Sequence, residues 1–152
     1  MLYLVKYKKA EKNYVNLITD HKLAMSYQEE ESYELKSLKN YQELIKEIDI
    51  YNFECKEDKK NILKIGRDAF RLIDCINNII DEEFESTEVL ENILIELIRK
   101  YFGTLSKIKN SNDNICLEIP DSKVNLIFNI KKEKNVYKIN QYNINSGMLL
   151  FY

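Results

Sequence analysis

The chain has 152 residues, 45% of them hydrophobic and 32% charged, with a net charge of −2, three glycines and one proline. At this length folding removes roughly 70% of the surface an unfolded chain exposes, so a single domain spanning 1–152 with a real core is expected, and the scarcity of Gly and Pro argues against a linker. The near-neutral charge excludes a global field that would draw the chain to nucleic acid or to an anionic membrane, and leaves that role to a local patch.

Residues 1–19 read as a β-hairpin: "MLYLVKY", a polar turn "KKAEKN", then "YVNLIT". The next stretch, "DHKLAMSYQEEESYELKS", has weak periodicity and an acidic middle, and reads as a surface loop or a short irregular helix.

From Ser37, the expected N-cap, the pattern turns helical, with Leu38, Tyr41, Leu44, Ile45 and Ile48 at three- and four-residue steps. A second helix is expected over about Glu57 to Ile80. Ile62, Ile65, Ala69, Phe70, Leu72, Ile73, Ile76 and Ile80 form its apolar stripe, and Glu57 and Asp58 sit in its first turn, where the helix dipole favours anions. The third helix, Ser86 to Phe102, opens with Glu88 and Glu91, ends with Arg99 and Lys100, and is stopped by Gly103. Together these make a helical segment over 37–103.

Over 114–152 the period switches to two. "NICLEI" ends at Pro120, and "PDSK" turns the chain into "KVNLIFNIK". "KKEKN" turns it again into "VYKINQYNI", and "NSG" into "MLLFY". This predicts a four-strand antiparallel meander. "MLYLV" and "MLLFY", at the two ends, are the most continuously apolar strands, which implies burial on both faces, or one face on the core and one on a partner. The expected fold class is therefore α+β: the N-terminal hairpin and the C-terminal meander in one antiparallel sheet, with three helices packed on it.

Several surfaces are candidates for function. Lys56, Lys60, Lys64, Arg67 and Arg71 fall at steps of four, four, three and four, and so share one helix face opposite the isoleucine stripe. The guanidinium is a rigid fork suited to carboxylate or phosphate, so Arg67 and Arg71 beside a lysine row make a dock for an anionic surface. The plainer reading is a solvated face, in which Asp68 and Asp74 pair with Arg71. Gly66 in the same helix costs about 1 kcal/mol relative to alanine, and close approach of another backbone is the expected reason.

Glu29, Glu30 and Glu31, with Tyr33 as an apolar anchor, make an acidic–aromatic segment suited to a basic partner. "DEEFESTE" (81–88) repeats the theme with Phe84, but it also supplies an inter-helix turn and charge at a helix start. A polar sheet side is expected from Asn125, Asn129, Lys131, Lys138, Asn140 and Tyr142, without the aromatic signature of RNA-reading sheets.

No motif with a catalytic or cofactor mechanism occurs. The only histidine, His21, stands beside Asp20 with nothing in the sequence to orient the pair, and Cys55, Cys75 and Cys116 form no CxxC. A zinc site would need nearly every Cys and His to converge, so buried reduced thiols are expected, which suits a reducing compartment. "MLYLVKYKK" lacks the basic start of a signal peptide, and no run approaches the roughly 20 apolar residues of a membrane span. The A/T-rich codons of the abundant Lys, Asn and Ile point to an AT-rich bacterial or phage genome.

The expectation is thus a cytoplasmic, non-enzymatic protein without cofactor or metal that binds another protein: an inhibitor of immunity or anti-defence type, occluding a bacterial toxin, nuclease or defence effector. Nucleic-acid or nucleotide binding through Lys60, Lys64, Arg67 and Arg71 is the second expectation. A scaffold subunit of an oligomer is the third.

Overall fold

A computed structural model of the chain describes residues 2–26, 33–103, 106–110, 113–119, 124–147 and 149–151, with the backbone alone for 106–110 and 149–151. In chain order the described elements are β1 (Leu2–Lys9), β2 (Lys12–Ile18), α1 (His21–Ser26), β3 (Tyr33–Leu38), α2 (Tyr41–Asp49), α3 (Lys56–Ile79) and α4 (Thr87–Phe102). They are followed by β4 (Ser106–Asn110), β5 (Asn114–Ile119), β6 (Val124–Glu133), β7 (Val136–Asn145) and β8 (Leu149–Phe151). The fold is α+β, with antiparallel strands. Two compact units divide it: Met1–Phe70 with Ile144–Tyr152, and Arg71–Asn143.

In the first unit the strand order is β3-β1-β2, and β1 and β2 form the expected hairpin, registered from Tyr3↔Ile18 to Lys9↔Lys12. The turn is tighter than the sequence suggests, only Ala10 and Glu11, and both have positive φ (52° and 64°). That is the backbone of a primed hairpin turn, whose twist matches the strands, made here without the usual Asn or Gly.

β1 is buried on both faces because its side chains alternate. Leu2 and Leu4 join Val15, Leu17 and Leu38 on the side that faces α3, where Leu17 lies against Gly66. Tyr3, Val5 and Tyr7 point to the other side, into a cluster with Tyr14, Ile18, Leu23, Ala24, Tyr33 and Leu35. Each fully buried Leu or Ile contributes about 1.5–3 kcal/mol.

Three local readings are corrected. Ser37 and Leu38 belong to β3, and the N-cap of α2 is Asn40, whose side chain accepts from the Glu43 N–H at 3.1 Å. Leu38 stands at helical spacing from Tyr41 and Leu44, but it is claimed by a strand partner, Leu2.

The stretch 20–36 contains a short helix, one of its two expected readings, but it also holds the start of a strand, which was not expected. Asp20 initiates α1, its carboxylate accepting from the N–H groups of Lys22 (2.9 Å) and Leu23 (3.2 Å).

"NSG" is not a hairpin turn. Asn145 pairs with Ile18 and Leu149 with Val15, so β8 continues β7's direction along β2. The junction is held by Ser146, whose N–H donates to Leu17 O (2.8 Å) and whose Oγ accepts from Leu17 N (2.7 Å). Both terminal strands, β1 and β8, therefore flank β2.

In the second unit the meander runs β4-β5-β6-β7. It is four strands, as expected, but shifted in the chain: it begins with β4, upstream of the expected 114–152 span, and β8 is not its last member. The predicted "PDSK" turn lies outside the described residues. The "KKEKN" turn is confined to Lys134 and Asn135, with Lys134 at φ 55°.

Alternation in β5 and β6 buries Ile115, Leu117, Ile119, Val124, Leu126, Phe128 and Ile130. From the helices come Leu72, Ile73 and Ile76 of α3 and Leu90, Leu94 and Ile98 of α4. α4 has the ends read from sequence. Ser86 Oγ accepts from Val89 N (3.2 Å), and Gly103, at φ 78°, donates its N–H to Arg99 O (2.9 Å).

No helix among the described residues is long and apolar enough to cross a membrane.

Candidate interaction site

α3 forms because an apolar stripe recurs at 3.6-residue spacing and Glu57 and Asp58 occupy its first turn. The stripe buries Ile62, Ile65, Ala69, Leu72, Ile73 and Ile76. Gly66 is buried with it, because Leu44 of α2 takes the space a β-carbon would need and Leu17 Cδ1 lies 3.4 Å from that position. The approach that a glycine permits is thus by a leucine side chain, not by a backbone.

The opposite face carries Lys56, Lys60, Lys64 and Arg67, all exposed, within the first unit's part of the helix. At 1.5 Å per residue the row from Lys56 to Arg67 is about 16 Å long. Lys60 has one long ion pair, to Glu57 at 3.7 Å, and Arg67 Nε lies 3.7 Å from Asp68 Oδ1. Lys56 and Lys64 make no ion pair with any described residue. A row so placed attracts anions, and because its charges are solvated the attraction falls as salt rises.

Arg71 is exposed on the part of α3 that belongs to the second unit. It does not pair with Asp68 or Asp74. Asp68 is 3% exposed, turned inward beside Arg67, and its Oδ2 has no hydrogen-bond partner among the described residues. Near Arg71, Cys75 Sγ and Tyr101 OH are 3.0 Å apart. That hydrogen bond, ahead of desolvation, raises the Tyr101 phenol above its usual range, and the charge of Arg71 opposes the shift.

Of the acidic–aromatic segment, Glu29, Glu30 and Glu31 lie outside the described residues. Tyr33 opens β3, half-buried in the tyrosine cluster on the face opposite α3, and its hydroxyl is buried without a partner among the described residues. Tyr33 and the cationic row are thus on different faces of the β3-β1-β2 sheet. In "DEEFESTE", Asp81, Glu82, Glu83, Glu85 and Glu88 are exposed, but Phe84 is buried and exchanges backbone hydrogen bonds with Tyr137, 2.9 Å each way. Phe84 is structural.

The polar side of the second unit's sheet contains an amide ladder that sequence reasoning missed. Asn140 Nδ2 donates to Asn129 Oδ1 (3.0 Å), and Asn129 Nδ2 donates to Asn114 Oδ1 (3.2 Å). Finding it requires the strand register, which brings residues from three strands into line. Lys131 and Lys138 are engaged by Glu133 at 2.7 and 3.8 Å, and these lysines hold the Glu133 carboxyl below its usual range. Tyr142 is not on this side. The consecutive exposed residues Asn140 and Gln141 break the alternation, and Tyr142 donates to Asn77 of α3 at 3.3 Å.

His21 accepts a place in the first unit's fold. Its Nδ1 is 2.9 Å from Tyr3 OH, while the carboxylate of Asp20 is occupied with the start of α1. The cysteines are not buried as expected: Cys55 is exposed, and Cys75 and Cys116 are half-buried. Among the described residues no three His, Cys, Asp or Glu side chains are gathered so as to hold a metal ion.

No family model matches this sequence, and comparison with curated proteins and with solved structures finds no match.

Proposed function

We propose that the chain is a non-enzymatic binding protein that occludes the surface of another protein. Its type would be an inhibitor of immunity or anti-defence kind, directed at a bacterial toxin, nuclease or defence effector in the cytoplasm. The observation that carries this reading is the row Lys56, Lys60, Lys64 and Arg67. These exposed cations stand on a helix fixed from behind by buried residues, two of them without an ion pair among the described residues.

A rigid helix that displays charge loses little conformational freedom on docking, and complementary charge on the partner raises the association rate. An acidic patch on the partner is the surface such a row fits. The exposed acidic turn of the second unit (Asp81, Glu82, Glu83, Glu85) supplies the opposite sign for a basic effector.

The same row favours a second reading, nucleic-acid binding through phosphate contacts, in which affinity drops steeply with salt. Gel shifts with single-stranded RNA and duplex DNA across a salt series separate the two. The inhibitor reading expects no strong shift. A shift abolished by Lys64→Glu with Arg67→Glu contradicts it and establishes the nucleic-acid reading.

A further inference from the structure

β3 is an outermost strand. β1 pairs it along one side, from Leu2↔Leu38 to Tyr7↔Tyr33, and no described residue pairs the other. Such an edge presents unpaired N–H and C=O groups in a row, a template for one more strand unless something blunts it. The outermost strand of the second unit, β4, is interrupted by a break in register between Lys107 and Lys109. β3 has neither a proline nor a bulge over its six residues.

The side chains on this edge are self-complementary. Glu34 and Lys36 lie on the face that carries α2 and α3, with side chains 77% and 56% exposed. Tyr33 and Leu35 lie on the tyrosine face, each half-buried.

We propose that β3 pairs with β3 of a second copy of this chain, antiparallel about a twofold axis through Leu35. In that register Glu34 of each copy faces Lys36 of the other, Tyr33 faces Ser37, and the two Leu35 side chains meet. Moving the axis to residue 34 sets Glu34 against Glu34, and moving it to residue 36 sets Lys36 against Lys36. Like charges directly opposite each other destabilise a strand pair, so the charges select the register at Leu35. The contact is isologous and closes, giving a dimer rather than a fibre.

Both charged groups are already held along the face. Lys36 Nζ is 2.7 Å from Glu47 Oε1 of α2, and Lys6 Nζ is 3.7 Å from Glu34 Oε2, so pairing orders little that is free.

Sedimentation equilibrium over a concentration series tests the proposal. The wild-type chain is expected to reach the mass of two copies. Glu34→Lys alone and Lys36→Glu alone are expected to weaken association about tenfold or more, and the double exchange to restore it. The register has its own readout, taken in a Cys55→Ser background because Cys55 is an exposed thiol. Under mild oxidation Leu35→Cys is expected to cross-link to itself. Ser37→Cys is expected to cross-link to Tyr33→Cys and not to itself.

A chain that stays at the mass of one copy, or a dimer indifferent to both single reversals, overturns the proposal. So does self-cross-linking of Ser37→Cys as fast as that of Leu35→Cys. Circular dichroism of each variant shows whether it folds; should a cysteine variant not fold, the charge series decides.

Discussion

Leu44 of α2 occupies the space that a β-carbon on Gly66 of α3 would require, and Leu44 itself is fully buried. The glycine costs about 1 kcal/mol in helix propensity, and the close seat of α2 on α3 offsets it. Gly66→Ala is therefore expected to destabilise the protein, by about 1–3 kcal/mol of overpacking despite the gain in propensity. In a Leu44→Ala background the same substitution is expected to be neutral or stabilising. Urea unfolding of the four proteins in this cycle reads the coupling, and additivity of the two substitutions contradicts the contact.

The β1–β2 turn is expected to be improvable. Ala10 and Glu11 both hold positive φ, where a β-carbon is crowded. Ala10→Asn with Glu11→Gly, the pair favoured in primed two-residue turns, should stabilise the protein by about 1 kcal/mol. A rise in the thermal midpoint checks it.

Ser146 is buried at 5% exposure, and its Oγ takes the Leu17 N–H at 2.7 Å. Ser146→Ala leaves that buried donor unsatisfied, for a loss of about 1–3 kcal/mol. Ser146→Thr keeps the acceptor and is expected to lose less. Denaturant midpoints for the two variants distinguish the lost hydrogen bond from simple crowding.

Tyr51 gives a pH dependence. Burial, followed by the nearby Glu47 and Glu34 carboxylates, pushes its phenol up to about 12. An unfolded tyrosine ionises near about 10, so the unfolded chain releases this proton first. The contribution is intact below pH 10 and is lost as pH rises from there toward 12. Tyr51→Phe is thus expected to narrow the alkaline loss of stability relative to wild type. In spectrophotometric titration it should remove one late-ionising phenol. An unchanged late phase contradicts the assignment.

α3 and α4 were legible because each signal is local: an apolar stripe of period 3.6, acids in the first turn, Ser86 and Gly103 at the ends of α4. β6 was legible for the same reason at period two. The missed parts depend on distant partners. β3 shares Leu38 with what reads as a helical spacing, and only its pairing with β1 decides the matter. The course of β8 depends on Ser146 meeting Leu17, 129 residues away in sequence. Within the candidate site the cation row follows from residue spacing alone. The inward turn of Asp68 was not legible, because a carboxylate at that position is read as solvated until its surroundings are seen.

The central claim is that the exposed cationic face of α3 docks an anionic protein surface, and capture from the native host tests it most directly. Wild-type chain is used as bait beside a Lys64→Glu, Arg67→Glu variant, and each captured protein is then purified and assayed for its own activity. The account predicts a protein held by wild type, released by added salt, lost with the variant, and inhibited in its activity by wild-type chain alone. Equal capture and equal inhibition by the variant contradict it.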